Sequence, residues 1–307
     1  MMSPNDSKHG LREVFSKSQP EAFRPGFKAC CGRTFPDLKY AIFLPDEINA
    51  QTPVLVSVHG VSRNVEEHLE AFSAICKQMG WLLVVPQFSR KNFPAYQTLG
   101  IRRKQPGPRS DLALNSILDE IQQDLGIETR RFRMFGFSGG AQFVHRYALA
   151  HPHRVMSAVL GASGWYTFPD HQTPYPRGYR TGADSDLRLF SEKMLTIPMA
   201  VLVGSEDISR DDALNQTDKI DLQQGINRVE RGKNWVSAMQ FQAKKRGLPT
   251  QYIAEIMSGC DHDFGRCVEQ GKMHQKAVKF FLHVTLAEMG GALRSTQGKA
   301  RFVPFVI

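Results

Sequence analysis

Residues 132–143 read FRMFGFSGGAQF, and this stretch decides the fold. Its first half is an apolar run typical of a buried strand, and the residues after Ser138 have the character of a helix. Gly136, Ser138 and Gly140 satisfy the pattern G-x-S-x-G. In that pattern the serine lies on a sharp strand-to-helix turn with strained backbone angles, and the glycines relieve the crowding around it. The stretch therefore predicts a raised serine hydroxyl at a helix N-terminus, where developing negative charge is favoured.

Short apolar runs alternate with amphipathic segments along most of the chain. The predicted strands are 40–44, 54–58, 82–85, 133–137, 156–160, 199–203 and 252–257. The predicted helices are 66–79, 112–125, 141–150, 235–245 and 273–283. Because this alternation is typical of parallel strands linked by helices, we expect a single doubly wound α/β domain. Its central sheet should be mostly parallel, with helices on both faces.

Two segments fall outside this alternation. Residues 1–25 are polar and rich in Ser, Asn, Asp and Pro, so we expect a flexible N-terminal extension to a domain that covers 26–307. Residues 166–196 are too long for an ordinary connection and, with Trp165 just before them, too aromatic for a plain linker. They predict a cap insertion over the strand ends, with Trp165 and Tyr166 binding substrate. The alternative is an aromatic surface loop packed on the domain.

The chain is basic, with 39 Lys and Arg against 30 Asp and Glu and a net charge of +9. A basic patch can attract nucleic acid or acidic substrates. The basic residues at 102–104 and at 130–133 are, however, typical of a solvated loop and of a helix-to-strand junction. No aromatic RNA-binding signature accompanies them, so we expect no nucleic-acid partner.

Cysteine usage and hydropathy predict a soluble, cytoplasmic protein. The N-terminal residues contain no uninterrupted apolar core of the kind that a signal peptide needs, and no apolar run is long enough to cross a bilayer. The five cysteines include the adjacent Cys30 and Cys31 and make a poor disulfide framework; Cys260 and Cys267 could pair, but reduced thiols are favoured. No Cys or His spacing indicates zinc, and we expect neither metal nor cofactor.

A raised serine needs a base, and on a scaffold of this kind an acid and then a histidine follow it in chain order. Asp207 comes directly after one late strand, and His262 comes after the next. Because the carboxyl ends of parallel strands meet at one edge of a sheet, we expect Ser138, Asp207 and His262 to form a nucleophile–acid–base triad. Glu206 is the alternative acid. Asp261 and Asp263 rank lower, because adjacent side chains point away from the histidine ring.

A tetrahedral intermediate on the serine also needs two donors for its oxyanion. The first should be the backbone N–H of Gly139, directly after the serine. The second should come from the loop at 59–62, with the N–H of Val61 favoured and that of Ser62 next. The alternative for this loop is a simple strand-terminating turn.

At this point the sequence resembles the α/β-hydrolases, over residues 40–283. It looks most like the polyhydroxybutyrate-depolymerase-like and feruloyl-esterase-like carboxylesterases. The segments that carry the resemblance are VHG at 58–60, the Asp111-led helix, the serine turn, HPHR at 151–154, GSED at 204–207 and CDHDF at 260–264. The resemblance implies hydrolysis of a carboxylic ester through an acyl-enzyme, without cofactor or metal. The serine turn departs from many relatives, which have a larger residue in place of Gly139.

Within this resemblance, the sequence favours hydrolysis of a small acyl ester, and the aromatic insertion would suit an apolar or aromatic acyl group. Two other functions stay open. An acyltransferase would use the same triad and pass the acyl group to another acceptor. A binding protein on the same scaffold would use the basic surface without catalysis. A serine peptidase is less favoured, and the sequence leaves the oligomeric state open.

Overall fold

The computed structural model of the protein describes residues 26–101, 107–183, 185–249 and 251–296. The described residues form one eight-stranded sheet in the order β1-β2-β4-β3-β5-β6-β7-β8. The strands are β1 (Gly26–Cys31), β2 (Lys39–Leu44), β3 (Val54–Val58), β4 (Leu82–Gln87), β5 (Phe132–Phe137), β6 (Val155–Gly161), β7 (Met199–Gly204) and β8 (Tyr252–Met257). The six strands from β4 to β8 along the sheet are parallel, and β1 and β2 add an antiparallel edge. The predicted fold class is confirmed.

Helices cover both faces of the sheet. They are α1 (Val65–Met79), α2 (Ser110–Leu125), α3 (Gly139–Ala150), α4 (Ser191–Met194), α5 (Asp218–Gln224), α6 (Arg228–Lys245), α7 (Phe264–Glu269) and α8 (Met273–Thr296). One apolar core lies between the sheet and α2, α3 and α6, and a second lies under α1, α7 and α8. Every residue of β3, β5 and β7 is buried, which explains why these strands are mostly apolar rather than alternating.

The local sequence explains where the helices begin and end. Asn64 caps α1, because its side chain accepts a hydrogen bond from the backbone N–H of Glu67. The same helix ends at Gly80, whose left-handed φ of 64° is easiest for glycine. Helix α3 is buried along its whole length, although it contains His145 and Arg146. This helix therefore lies in the interior directly behind Ser138.

The structure differs from the sequence-based expectation in a few elements. It adds β1 at the sheet edge, where partial burial gives a weak pattern, and the short helices α4, α5 and α7. Helix α6 begins at Arg228 rather than at 235, because its first turns bury arginines that an apolar pattern does not detect. The predicted N-terminal extension at 1–25 and the basic run at 102–104 lie outside the described residues.

The chain between β6 and α4 has no regular helix or strand of its own in the described part. It is hydrogen-bonded onto the domain at Thr167, whose backbone N–H donates to His145 Nε2 and whose carbonyl accepts from Trp235 Nε1, both at 3.0 Å. Tyr179 and Leu187 of the same segment are buried in the core. Within the described ranges, no helix is both long and apolar enough to cross a bilayer.

Candidate active site

Ser138 lies on the turn between β5 and α3, at the carboxyl edge of the sheet. Its backbone angles are φ 52° and ψ −112°, a conformation that is strained for a residue with a side chain. Two positions before and two positions after the serine, only glycine fits. A Cβ on Gly136 would lie 2.5 Å from the carbonyl of Gly140, and a Cβ on Gly140 would lie 2.0 Å from the carbonyl oxygen of Val58. The two glycines therefore allow the strand and the helix to approach closely enough to hold the serine in this conformation.

The structure brings Ser138, His262 and Asp207 together. Ser138 Oγ lies 3.0 Å from His262 Nε2, and His262 Nδ1 lies 2.8 Å from Asp207 Oδ2. Asp207 is 1% exposed and Ser138 is 7% exposed, whereas 19% of the His262 side chain is exposed. The His262 ring also stacks on Phe137, with centroids 5.2 Å apart. The hydroxyl and the imidazole are thus aligned at a partly open edge, with the carboxylate buried behind them.

The other acids near the histidine have different partners. Glu206 is exposed and accepts a hydrogen bond from Ser205 Oγ. Asp261 pairs with Arg266 at 2.7 Å, and Asp263 caps α7 by accepting the backbone N–H of Arg266. The geometry therefore pairs the imidazole with Asp207 alone among these carboxylates.

The loop after β3 is fixed by His59. This histidine is fully buried; its Nε2 accepts the backbone N–H of Phe88 and its Nδ1 donates to the carbonyl of Gly60 at 2.9 Å. Burial lowers the His59 pKa to about 4, so the ring is neutral, as this pair of hydrogen bonds requires. The same carbonyl accepts the N–H of Arg63. Because the peptide bond between Gly60 and Val61 is trans, the N–H of Val61 points away from the side on which the Gly60 carbonyl is held.

The space beside Gly139 is already filled. A Cβ on Gly139 would lie 2.6 Å from Tyr96 Oη, 2.8 Å from Gln97 Nε2 and 3.1 Å from Val61 Cγ1. Tyr96 is fully buried and donates its hydroxyl to the carbonyl of His59. This explains why the turn has glycine where the resemblance leads one to expect a larger residue. It also places Val61 next to Gly139, at the two positions that the sequence predicts for the oxyanion donors.

A cavity of about 970 Å³ lies next to the first turn of α3. Three segments line it: the short helical turn at Tyr96–Thr98, the chain after β6, and the loop at 212–215 beyond Asp207. Trp165, which the sequence predicts to bind substrate, lines this cavity. Tyr166 does not: it is fully buried and stacks on Trp235, with centroids 4.9 Å apart. Only one residue of this aromatic pair therefore faces the cavity.

Arg146 holds the cavity wall together from inside. It is fully buried and donates to the carbonyl of Gln97 at 2.7 Å and to Thr167 Oγ1 at 3.0 Å. Its guanidinium also lies under the Trp165 ring, 4.3 Å from the centroid. Burial lowers the Arg146 pKa to about 10. A sequence pattern does not find this arginine or Gln97, because their roles depend on which loops meet across the sheet edge.

The protein contains a second serine–histidine pair. Ser57 Oγ on β3 lies 2.7 Å from His68 Nδ1 on α1, and both residues are buried. The His68 ring stacks on Phe264 at 4.4 Å, and burial holds its pKa well below the ordinary value. This pair has neither a carboxylate contact nor access to the cavity in the described part of the chain.

The remaining candidate chemistry is sparse. Within the described ranges no group of three or more His, Cys, Asp and Glu side chains could hold a metal ion. All five cysteines are free, including Cys260 and Cys267. Of the basic residues at 130–133, Arg130 pairs with Glu128, whereas Arg133 is buried, with its guanidinium 4.8 Å from the Trp81 ring centroid.

Comparison of the folded chain with solved structures identifies the architecture. It matches poly(aspartic acid) hydrolase-1 from Sphingomonas sp. KT-1 with a TM-score of 0.70 and 25% identity, over 84% of this chain and 98% of that one. The chain has the α/β-hydrolase fold. It is also similar to the poly(3-hydroxybutyrate) depolymerase LpqC from Bordetella parapertussis, with a TM-score of 0.68, 24% identity and 82% and 88% coverage. The resemblance seen in the sequence is confirmed.

A more distant match within the α/β-hydrolase fold is an S-formylglutathione hydrolase from Agrobacterium tumefaciens. Its TM-score is 0.56 at 16% identity, over 85% of this chain and 98% of that one. No family model matches the sequence, and no curated protein does either.

Proposed function

We propose that the protein is a serine hydrolase that cleaves a carboxylic ester of a small acyl substrate. The observation that carries this proposal is the continuous hydrogen-bonded series from Ser138 through His262 to Asp207, with distances of 3.0 and 2.8 Å. The serine in this series has a strained backbone and lies at the N-terminus of α3. Each of these features is what nucleophilic acyl transfer requires.

The reaction begins when Ser138 Oγ forms a bond to the acyl carbon and its proton passes to His262 Nε2. Asp207 stabilises the resulting imidazolium and keeps its ring oriented. The tetrahedral intermediate collapses, and the alcohol leaves with the proton from His262, which gives an acyl-serine. Water then attacks the acyl carbon while His262 accepts its proton, and the acid product leaves as the proton returns to Ser138 Oγ.

The backbone N–H groups of Gly139 and Val61 are proposed to bind the oxyanion. Two contacts support Val61: the carbonyl of Gly60 is held by His59 and Arg63, and Val61 packs beside Gly139. Loss of one such donor typically costs about 10² to 10³ in turnover. The Val61 donor is in place before substrate arrives, because the buried, neutral His59 holds the Gly60 carbonyl of the same peptide.

The cavity supports a substrate with both apolar and polar parts. Trp165 and Tyr175 supply aromatic surface, whereas Gln97, Gln142 and Arg180 supply hydrogen-bond donors. Its volume of about 970 Å³ is at the upper end of ordinary small-molecule sites. The similar structures named above are hydrolases and a depolymerase by name, which supports hydrolysis of an acyl bond as the reaction class.

The test combines fluorophosphonate labelling with hydrolysis of a series of p-nitrophenyl esters of increasing acyl length. The variants are Ser138→Ala and, as a matched control, Ser57→Ala, because Ser57 also contacts a histidine. We expect wild type and Ser57→Ala to be labelled and active, and Ser138→Ala to be neither. Labelling that persists in Ser138→Ala, or a wild type that neither labels nor hydrolyses any ester, would contradict the proposal. Added alcohol in the same assay would reveal acyl transfer as an ester product.

A further inference from the structure

Arg228 is a fully buried cation at the first position of α6. A positive charge at a helix N-terminus opposes the helix dipole, and a buried charge is costly unless it is paired. The stability of α6 therefore does not explain why an arginine stands here. The explanation has to come from the groups that the guanidinium contacts.

Those groups are two carboxylates of the loop after β7. Arg228 Nη1 donates to Asp207 Oδ1 at 3.2 Å and to Asp211 Oδ2 at 2.9 Å, and Nη2 donates to Asp211 Oδ1 at 2.9 Å. The other oxygen of Asp207 accepts from His262 Nδ1 at 2.8 Å. Asp211, Arg228, Asp207 and His262 thus form one unbroken series of charged or ionisable groups that ends at Ser138.

Few other charges face the imidazole. On its own loop, Asp261 is neutralised by Arg266, and Asp263 caps α7. The His262 ring also contacts the apolar ring of Phe137 on β5 and the hydroxyl of Ser138 on the turn after β5.

The charged groups nearest the imidazole are the cluster of Asp207 and Asp211, in the loop after β7, and Arg228 on α6. The Arg228 guanidinium, with a smaller contribution from His262, holds the pKa of Asp211 below its usual range, so Asp211 is ionised.

We infer that Arg228 is a positioning residue that sets how strongly His262 binds a proton, by partly neutralising Asp207, and that Asp211 balances Arg228. The inference rests on the proposed serine hydrolase function for its catalytic meaning. A lone carboxylate beside the imidazole stabilises the imidazolium, and a guanidinium on the same carboxylate weakens that stabilisation. Asp211 then restores part of it by sharing the guanidinium.

Substitutions in this cluster change its net charge in steps. Wild type has two carboxylates and one guanidinium, Arg228→Met leaves two carboxylates, and Asp211→Asn leaves one of each sign. The double variant Arg228→Met/Asp211→Asn leaves Asp207 alone and so restores the wild-type net charge. We expect the pH at which His262 takes up its proton to rise by about one unit in Arg228→Met and to fall by about one unit in Asp211→Asn. The double variant should lie near wild type.

The experiment is an NMR titration of the His262 imidazole in the intact protein, together with the acidic limb of kcat/KM for a p-nitrophenyl ester. Shifts in opposite directions for the single variants, with recovery in the double variant, are expected. Shifts of the two single variants that are equal or in the same direction would overturn the inference. Shifts in opposite directions are not explained by damage to the fold, because such damage has no reason to follow the sign of the charge removed. Arg231→Met is the control: Arg231 is also buried on α6 but pairs with Asp221. Its His262 titration should stay at the wild-type pH.

Two provisions keep the test decisive. If Arg228→Met does not fold, Asp211→Asn decides alone, because Asp211 is partly exposed and a folded Asp211→Asn protein with an unshifted His262 titration overturns the inference. Fluorophosphonate labelling of wild type separates this question from the proposed function. If wild type is not labelled, the hydrolase proposal fails, while the NMR titration still reports on Arg228.

Discussion

Two serine–histidine pairs in the described part of this protein, Ser138–His262 and Ser57–His68, make similar short contacts in very different surroundings. Ser138 and His262 lie at the carboxyl edge of the sheet, and Asp207 accepts a hydrogen bond from the far side of the imidazole ring. Ser57 and His68 lie between β3 and α1 with no carboxylate contact in the described part of the structure. A short contact between a serine and an imidazole therefore does not by itself indicate a triad.

The difference lies in the protonation that each site allows. A general base must accept a proton during the reaction, and a buried carboxylate makes the cation tolerable for His262. Burial without a carboxylate does the opposite for His68 and holds its pKa well below the ordinary value. The backbone of the two serines differs too, because Ser138 has a positive φ and Ser57 does not. Under the proposed function the first pair transfers a proton, whereas we expect the second pair only to pack.

The largest expected effect comes from removing the carboxylate that distinguishes the pairs. Asp207→Asn keeps the shape of the side chain but favours the wrong imidazole tautomer, and kcat should fall by about 10⁴. Stopped assays with p-nitrophenyl esters at high enzyme concentration will measure this loss. Glu206→Gln is the matched control, since Glu206 contacts Ser205 rather than His262, and it should retain wild-type kcat. A large loss in Glu206→Gln with little loss in Asp207→Asn would reverse the assignment of the acid.

The next effect concerns the glycine that follows the nucleophile. In Gly139→Ala the new Cβ would meet Tyr96 Oη, which is fixed by its hydrogen bond to the carbonyl of His59. Displacing that carbonyl moves the loop that carries Val61, so we expect kcat to fall by about 10² with the fold intact. Tyr96→Phe removes the obstructing oxygen and should restore part of the activity in the double variant. No recovery in the double variant would show that Tyr96 is not the obstruction.

Much of this site can be predicted from the sequence, because the ends of the buried strands can be recognised in it. The apolar runs before Ser138, Asp207 and His262 predict parallel strands, and such strands bring their carboxyl ends to one edge. The need for Gly136 and Gly140 follows from the same strand-to-helix turn. The positions of Arg228 and Arg146 do not follow, because an arginine is buried only where partners from distant segments satisfy it.

The different surroundings of Trp165 and Tyr166 have a similar cause. Trp165 and Tyr166 are both aromatic, and composition alone does not say which of them faces the cavity and which is buried. Trp165 reaches the cavity, whereas Tyr166 packs on Trp235. The sequence does not predict the edge strand β1, because its partial burial gives a weak apolar pattern.

The buried histidines predict how the fold responds to acid. His59, with a pKa of about 4, and His68 and His145 are neutral in the folded state, whereas unfolding returns each to about 6.5. The unfolded chain binds more protons below that value, so stability present above pH 6.5 is lost as pH falls towards 4. Each histidine should remove about 2 kcal/mol from the free energy of unfolding between pH 7 and 5. Urea titrations at several pH values measure this slope.

An apolar replacement of the second pair isolates one part of that slope. The double variant Ser57→Ala/His68→Phe removes one titrating imidazole, so its loss of stability between pH 7 and 5 should be about 2 kcal/mol smaller than in wild type. An unchanged slope would mean that His68 is protonated or accessible in the folded protein.

The smallest expected effect is the loss of stability in Ser57→Ala, and comparison with Ser138→Ala separates the two serines. Ser57→Ala leaves His68 Nδ1 buried without its partner and should lower the free energy of unfolding by about 1–2 kcal/mol, with unchanged ester hydrolysis. Ser138→Ala should abolish hydrolysis while changing stability by less than about 0.5 kcal/mol, because His262 remains partly exposed to water. Denaturant unfolding and p-nitrophenyl ester assays on the same preparations measure both quantities. If Ser57→Ala loses activity in proportion to Ser138→Ala, the division of the two pairs into a packing contact and a reactive one fails.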